Sequence, residues 1–222
     1  KAAGLTGDAE AVTDLLGSAG AGNAATGKGF SAGAAALTAL ALIISYASIT
    51  RMETVSLLKP AVISGLFLGA MLPVLFSAMT MNSAVKTAVA IIEGAKRQLR
   101  EDEEIISGAS CPRYVKCVDL GVKAALKGVA APSLLAVIVS AAVGVCMGTE
   151  ALGGLLAGAL ASGVLMSMIF SNTGGSWNHR QNNSAGDPFK DAAGFSVHCF
   201  IVLLALIAVV FAPVLVAIRN ML

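Results

Sequence analysis

Residues 60–82 read Pro-Ala-Val-Ile-Ser-Gly-Leu-Phe-Leu-Gly-Ala-Met-Leu-Pro-Val-Leu-Phe-Ser-Ala-Met-Thr-Met-Asn, without a single charged side chain. At ~1.5 Å per residue a helix of this length crosses a hydrocarbon core of ~30 Å. Lipid offers the backbone no partner, so amides and carbonyls are bonded within the segment and the run reads as a membrane helix. Pro73 removes one donor from it and predicts a kink whose freed carbonyl needs a neighbour or water. Toward the N-terminus, Arg51, Glu53 and Lys59 mark a polar turn, and residues 30–50 form another uncharged span. Toward the C-terminus, Val85, Val89 and Ile92 share one face while Lys86, Glu93 and Lys96 lie elsewhere. That amphipathic pattern extends the same helix out into water.

The rest of the chain repeats the theme. Residues 101–119 are a charged linker that opens Glu101-Asp102-Glu103-Glu104. A further helix begins near Val115, enters the membrane around Gly128 and reaches Met147; Gly148-Thr149-Glu150 is a tight reversal. Residues 151–171 and 195–218 complete the spans, with a polar loop before the last one and Pro213 and Arg219 at its exit. Toward the N-terminus, residues 8–16 predict a short helix at the membrane edge. The expected fold is an all-α membrane protein, a polytopic bundle of about five transmembrane helices. Its spans are 30–50, 60–82, 128–147, 151–171 and 195–218, in a single domain over 1–222 with a cytoplasmic extension at 83–127.

Composition agrees. Of 222 residues, 56% are hydrophobic and 13% charged, against about 25% charged in soluble domains, and the mean hydropathy is +0.82. A net charge of +2 argues against nucleic acid as a partner. Abundant Gly and Ala predict close helix packing in lipid. Cys111, Cys117, Cys146 and Cys199 form no CxxC pair and read as buried free thiols. The chain does not begin with Met and its first residues lack signal-peptide regions, so it reads like a piece of something longer.

Lys86, Lys96, Arg97, Arg100, Arg113, Lys116, Lys123 and Lys127 all lie between the second and third spans. The positive-inside rule therefore puts 83–127 in the cytoplasm. By alternation the segment around Lys28 and the loop before the last span face the same side. Two polar candidates thus share one membrane surface. In Gly186-Asp187-Pro188-Phe189-Lys190-Asp191, Asp187 reads as an N-cap with Pro188 at the first helical position. Lys190 and Asp191 then follow on the same face, a placement able to hold a divalent cation and an anionic ligand. Residues 22–29 fit all but the last position of a P-loop, but Gly29 stands where the hydroxyl is needed and no strand precedes. They read as a glycine-loosened start to a helix. His198 is an ionisable group near the start of the last span, and such groups in lipid are functional candidates.

Several stretches together resemble the membrane-bound, ion-pumping inorganic pyrophosphatases. They are Ala24-Ala25-Thr26-Gly27-Lys28-Gly29-Phe30, residues 69–81, Glu150-Ala151-Leu152-Gly153-Gly154, Asn172-Thr173-Gly174-Gly175-Ser176-Trp177, and residues 186–191. The resemblance implies the C-terminal portion of a larger homodimeric pump, which couples Mg-pyrophosphate hydrolysis at the cytoplasmic surface to outward transport of H⁺ or Na⁺. It implies Asp187 and Asp191 as catalytic and metal-holding residues, with Lys190 and Lys28 as substrate contacts. It places Asn178 and Asn183 where the family carries acids, so both are expected beside the metal through their carbonyl oxygens, without charge. In the last span the family's coupling Lys falls at Val202 and its Asn at His198, leaving His198 as the ion-transport candidate. Mg²⁺ is the expected cofactor. K⁺ is an expected activator, since Ala24 and Gly27 match the residue types of the potassium-stimulated branch. Expected partners are pyrophosphate, membrane lipid, the pump's N-terminal helices and a second copy, in a cell membrane or acidic-organelle membrane. The family's earlier substrate-binding residues lie upstream of this chain, which by itself is expected to be inactive. The alternative implied by Asn178, Asn183 and Val202 is a catalytically decayed homologue acting as a scaffold or passive transport subunit.

Overall fold

The computed structural model describes residues 8–101, 113–181 and 192–221, with backbone alone over 8–10, 13–14, 17–25 and 174–181. Among the described residues five helices follow one another: α1 (Asp8–Thr50), α2 (Pro60–Glu101), α3 (Tyr114–Cys146), α4 (Thr149–Gln181) and α5 (Gly194–Met221). No strand is found among them. Each contains a stretch long and apolar enough to cross a membrane, and the chain is an integral, multi-pass membrane protein.

The helices run longer than the apolar spans. α1 is continuous from Asp8, so residues 8–16 are its first turns rather than a separate helix. Each glycine there costs about 1 kcal/mol relative to alanine, but Ala9, Ala11, Ala19, Ala21, Ala24 and Ala25 keep the intrinsic preference helical. Residues 22–29 lie inside this helix. Their amides are therefore committed to the backbone ladder and cannot wrap a phosphate as a P-loop does. α2 passes unbroken through Pro73 and carries its amphipathic part to Glu101. Ser77 Oγ donates to the Pro73 carbonyl at 2.6 Å, and Thr80 Oγ1 donates to Phe76 O and Ser77 O at 3.0 Å each. These two hydroxyls are thus satisfied within their own helix. α4 continues to Gln181, so residues 172–181 are helical and the polar connection to α5 starts later than the composition suggests.

The tightest contact joins α2 to α4. Gly65 and Gly69, one turn apart on α2, face the backbone carbonyls of Ala151 and Leu155; a methyl group on either would overlap that oxygen. Gly154 and Gly158 on α4 do the same against Val62 and Leu66 of α2. Two small-xxx-small surfaces therefore meet backbone to backbone. In lipid such close approach supplies the dispersion contact that hydrophobic burial cannot. α5 packs against this pair through Val197, Ile201, Leu204, Ala205 and Ala208, and Phe200 stacks on Phe76 with ring centroids 4.3 Å apart. Cys117, Cys146 and Cys199 are free thiols, but Cys146 and Cys199 are exposed on the bundle's outer face rather than buried. A thiol behaves as a small apolar group, so a face turned to lipid tolerates it as well as a core does. Cys111 lies outside the described residues.

Cross-helix bonds show which ends lie together. At one end Lys59 Nζ meets the Glu150 carboxylate at 2.6–2.8 Å, and buried Tyr46 donates its hydroxyl to Thr149 O at 2.8 Å. Gly148, with φ +91, turns the chain from α3 into α4 beside them. Here only glycine adopts the left-handed backbone without strain. At the other end Ser31 of α1 reaches His198 of α5, and Ser196 Oγ lies 3.5 Å from Thr80 Oγ1 of α2.

Candidate functional site

Three helices converge at His198. It is 4% exposed and lies about one turn into α5. Its Nδ1 is 3.3 Å from Ser31 Oγ on α1, and its Nε2 is in hydrogen-bond contact with Ser167 Oγ on α4. A neutral imidazole has one donor and one acceptor nitrogen, and each serine hydroxyl can serve either role. The ring is therefore satisfied in both tautomers. Phe195 approaches it edge-on, with centroids 6.1 Å apart. Val202, one turn further along α5, lines with His198, Ser31 and Thr38 an apolar groove of about 620 Å³ that opens between α1 and α5. Sequence reasoning does not single out Ser31 or Ser167, because a serine in a span ordinarily bonds its own backbone, as Ser45 does to Ala41 O.

Lys28 stands one turn before Ser31 on α1 and is half-buried. Asn178 falls in the last turns of α4, where the backbone is helical. Asn183, Asp187, Lys190 and Asp191, with the helix start expected at Asp187-Pro188, lie in 182–191, outside the described residues. That segment joins the end of α4 to residue 192, just before α5. Both of those ends belong to the half of the bundle that carries Ser31 and His198. Among the described residues no three His, Cys, Asp or Glu side chains gather as a metal site.

A family model for inorganic H⁺ pyrophosphatases matches residues 1–185. The chain belongs to this family. It is 41% identical over 224 residues to a putative K⁺-stimulated pyrophosphate-energized sodium pump of Clostridium tetani, covering 91% of this chain and 33% of that protein. It is 36% identical over 237 residues to a K⁺-insensitive pyrophosphate-energized proton pump of Methanosarcina mazei, covering 96% of this chain and 35% of that protein. A putative K⁺-stimulated sodium pump of Bacteroides thetaiotaomicron is 33% identical over 267 residues, covering 97% of this chain and 36% of that protein. This pyrophosphatase-family chain thus spans about a third of the length of these relatives. All three alignments are longer than the 222 residues of the chain, so each of these relatives carries residues which are missing here. Relatives named for proton and for sodium transport, and for potassium stimulation and insensitivity, all match it.

Proposed function

We propose that this chain forms the last five helices of a pyrophosphate-energised cation pump, with the substrate held at the end of the bundle where Lys28, the end of α4 and the start of α5 come together. The observation that carries the reading is family membership through residue 185, with relatives named as pyrophosphate-energised pumps matching over nine-tenths of the chain. Pyrophosphate is highly anionic, and its phosphorus is shielded until that charge is offset. Lys190 and Lys28 supply cationic contacts to its oxygens. Asp187 and Asp191 bring carboxylates that orient and deprotonate the attacking water. The same acids, with the carbonyl oxygens of Asn178 and Asn183, suit hard Mg²⁺, which when bound neutralises the substrate's charge. His198 carries the transported ion's step across the helices, with the upstream helices of the pump covering the groove beside Val202. A second copy of the pump and K⁺ as activator complete the assignment, and the positive segment between α2 and α3 supports hydrolysis on the cytoplasmic side.

The test uses membranes containing the full-length gene product. The expected result is Mg²⁺-dependent phosphate release from pyrophosphate, together with H⁺ or Na⁺ uptake into sealed vesicles. Absence of release with Na⁺, with K⁺ and with neither would overturn the pump and leave a scaffold or passive transport subunit.

A further inference from the structure

Beyond the lipid, α2 and α3 stay paired and enclose a cavity of about 290 Å³. Its walls carry Arg97 and Glu101 from α2, Arg113 just before α3, and Lys116 and Asp119 from α3, over an apolar floor that includes Ile91. Asp119 is already engaged by Lys123 at 2.7 Å. Arg97, Arg113 and Lys116 make no ion pair among the described residues. Gln98 ties α2 to the start of α3: its Oε1 accepts the Arg113 amide N–H at 2.9 Å, and its Nε2 approaches Cys117 Sγ at 3.6 Å. Among the described residues, three cations therefore line one concavity, opposed by one carboxylate that makes no ion pair.

Height selects the kind of anion. Arg97 lies eleven residues beyond Lys86, the first charge past the second span, and Lys116 lies eleven before Lys127 at the third. Both positions stand roughly 16 Å further along their helices. The headgroup layer adds only about 5–8 Å to each face of the hydrocarbon, so the cavity opens to water above it. A phosphate group, with its several acceptor oxygens and double charge, matches guanidinium forks and an ammonium. We propose that this cavity binds a soluble phosphate-bearing anion, on elements different from those assigned to pyrophosphate hydrolysis. The inference does not depend on that hydrolysis.

Cys117 lines the cavity and gives a local readout without any substitution. The full-length protein in phosphatidylcholine nanodiscs would be alkylated with iodoacetamide, at constant ionic strength, with and without inorganic phosphate. Modification would be resolved at Cys117 by mass spectrometry. Phosphate is expected to slow alkylation of Cys117 and to leave Cys146 unaffected. Combined Arg97→Gln, Arg113→Gln and Lys116→Gln is expected to raise the phosphate concentration needed by about tenfold or more. Lys190→Ala, which removes a contact assigned to hydrolysis, is expected to leave the protection intact. Three results would each overturn the proposal: no protection of the unsubstituted protein, protection abolished by Lys190→Ala, or protection by phosphatidylglycerol nanodiscs with none by phosphate.

Discussion

A histidine bonded on both ring nitrogens to hydroxyls from two other helices couples chemistry to packing. Removing the ring in His198→Leu leaves Ser167, only 1% exposed, without its partner, a loss of about 1–3 kcal/mol. Thermal unfolding in detergent is expected to shift down accordingly, whereas His198→Gln, which keeps a donor and an acceptor, shifts less. In sealed vesicles of the full-length pump, His198→Leu is expected to lower ion uptake about tenfold, equivalent to ~1.4 kcal/mol, with phosphate release retained. Equal loss of both activities in a well-folded variant would remove His198 from the transport path. The two asparagines proposed to stand beside the metal make a separate prediction. Asn178→Asp with Asn183→Asp adds two carboxylates and is expected to lower the Mg²⁺ concentration for half-maximal hydrolysis about tenfold. An unchanged Mg²⁺ dependence would contradict their placement beside the metal.

Helix pairing turns on where a glycine lacks a side chain and what lies opposite. At Gly69 the neighbour is the Leu155 backbone carbonyl, which cannot swing aside as a side chain would. Gly69→Leu is expected to destabilise the bundle by about 3 kcal/mol. Gly33 meets nothing within 4 Å, so Gly33→Ala should stabilise slightly, by up to ~1 kcal/mol. Unfolding by heat or denaturing detergent distinguishes the two, and equal effects would show that α2 and α4 do not meet at these glycines. Apolar runs free of charge made the five helices legible in the sequence, because a missing charge over such length has one physical meaning in lipid. Helix ends were less legible. Alanine carried α1 back through its glycines to Asp8, and the polar run after Asn172 stayed helical to Gln181 although its composition resembles a loop. The mutual contact of Gly65 and Gly69 with Gly154 and Gly158 depends on relative rotation of two helices, which neither run encodes alone. At the candidate site Lys28 and His198 stood out as ionisable groups beside or within apolar spans. Ser31 and Ser167 did not, since only the fold brings them to the ring.

Across the whole molecule, the Lys59–Glu150 pair, between the start of α2 and α4, and the Ser31–His198 pair, between α1 and α5, lie toward opposite ends of the apolar spans. The Lys59–Glu150 pair is partly solvent-exposed, with side chains 55% and 38% accessible. Such a pair contributes at most about 1 kcal/mol, so its use is to register α2 on α4 rather than to hold the bundle. Glu150→Gln is expected to change thermal stability by less than ~1 kcal/mol; a larger loss would mean that this end is anchored chiefly by charge. The central claim concerns the other end: that the start of the α1 span and the connection between α4 and α5 serve one substrate on one side of the membrane. Single cysteines replacing Gly29 and Ser184 in the full-length protein, labelled in right-side-out and inverted vesicles with a membrane-impermeant maleimide, test it directly. Both are predicted to react only in inverted vesicles, and Mg²⁺ with pyrophosphate is predicted to protect both. Labelling of the two from opposite faces, or at full rate in the presence of Mg²⁺ and pyrophosphate, would contradict it.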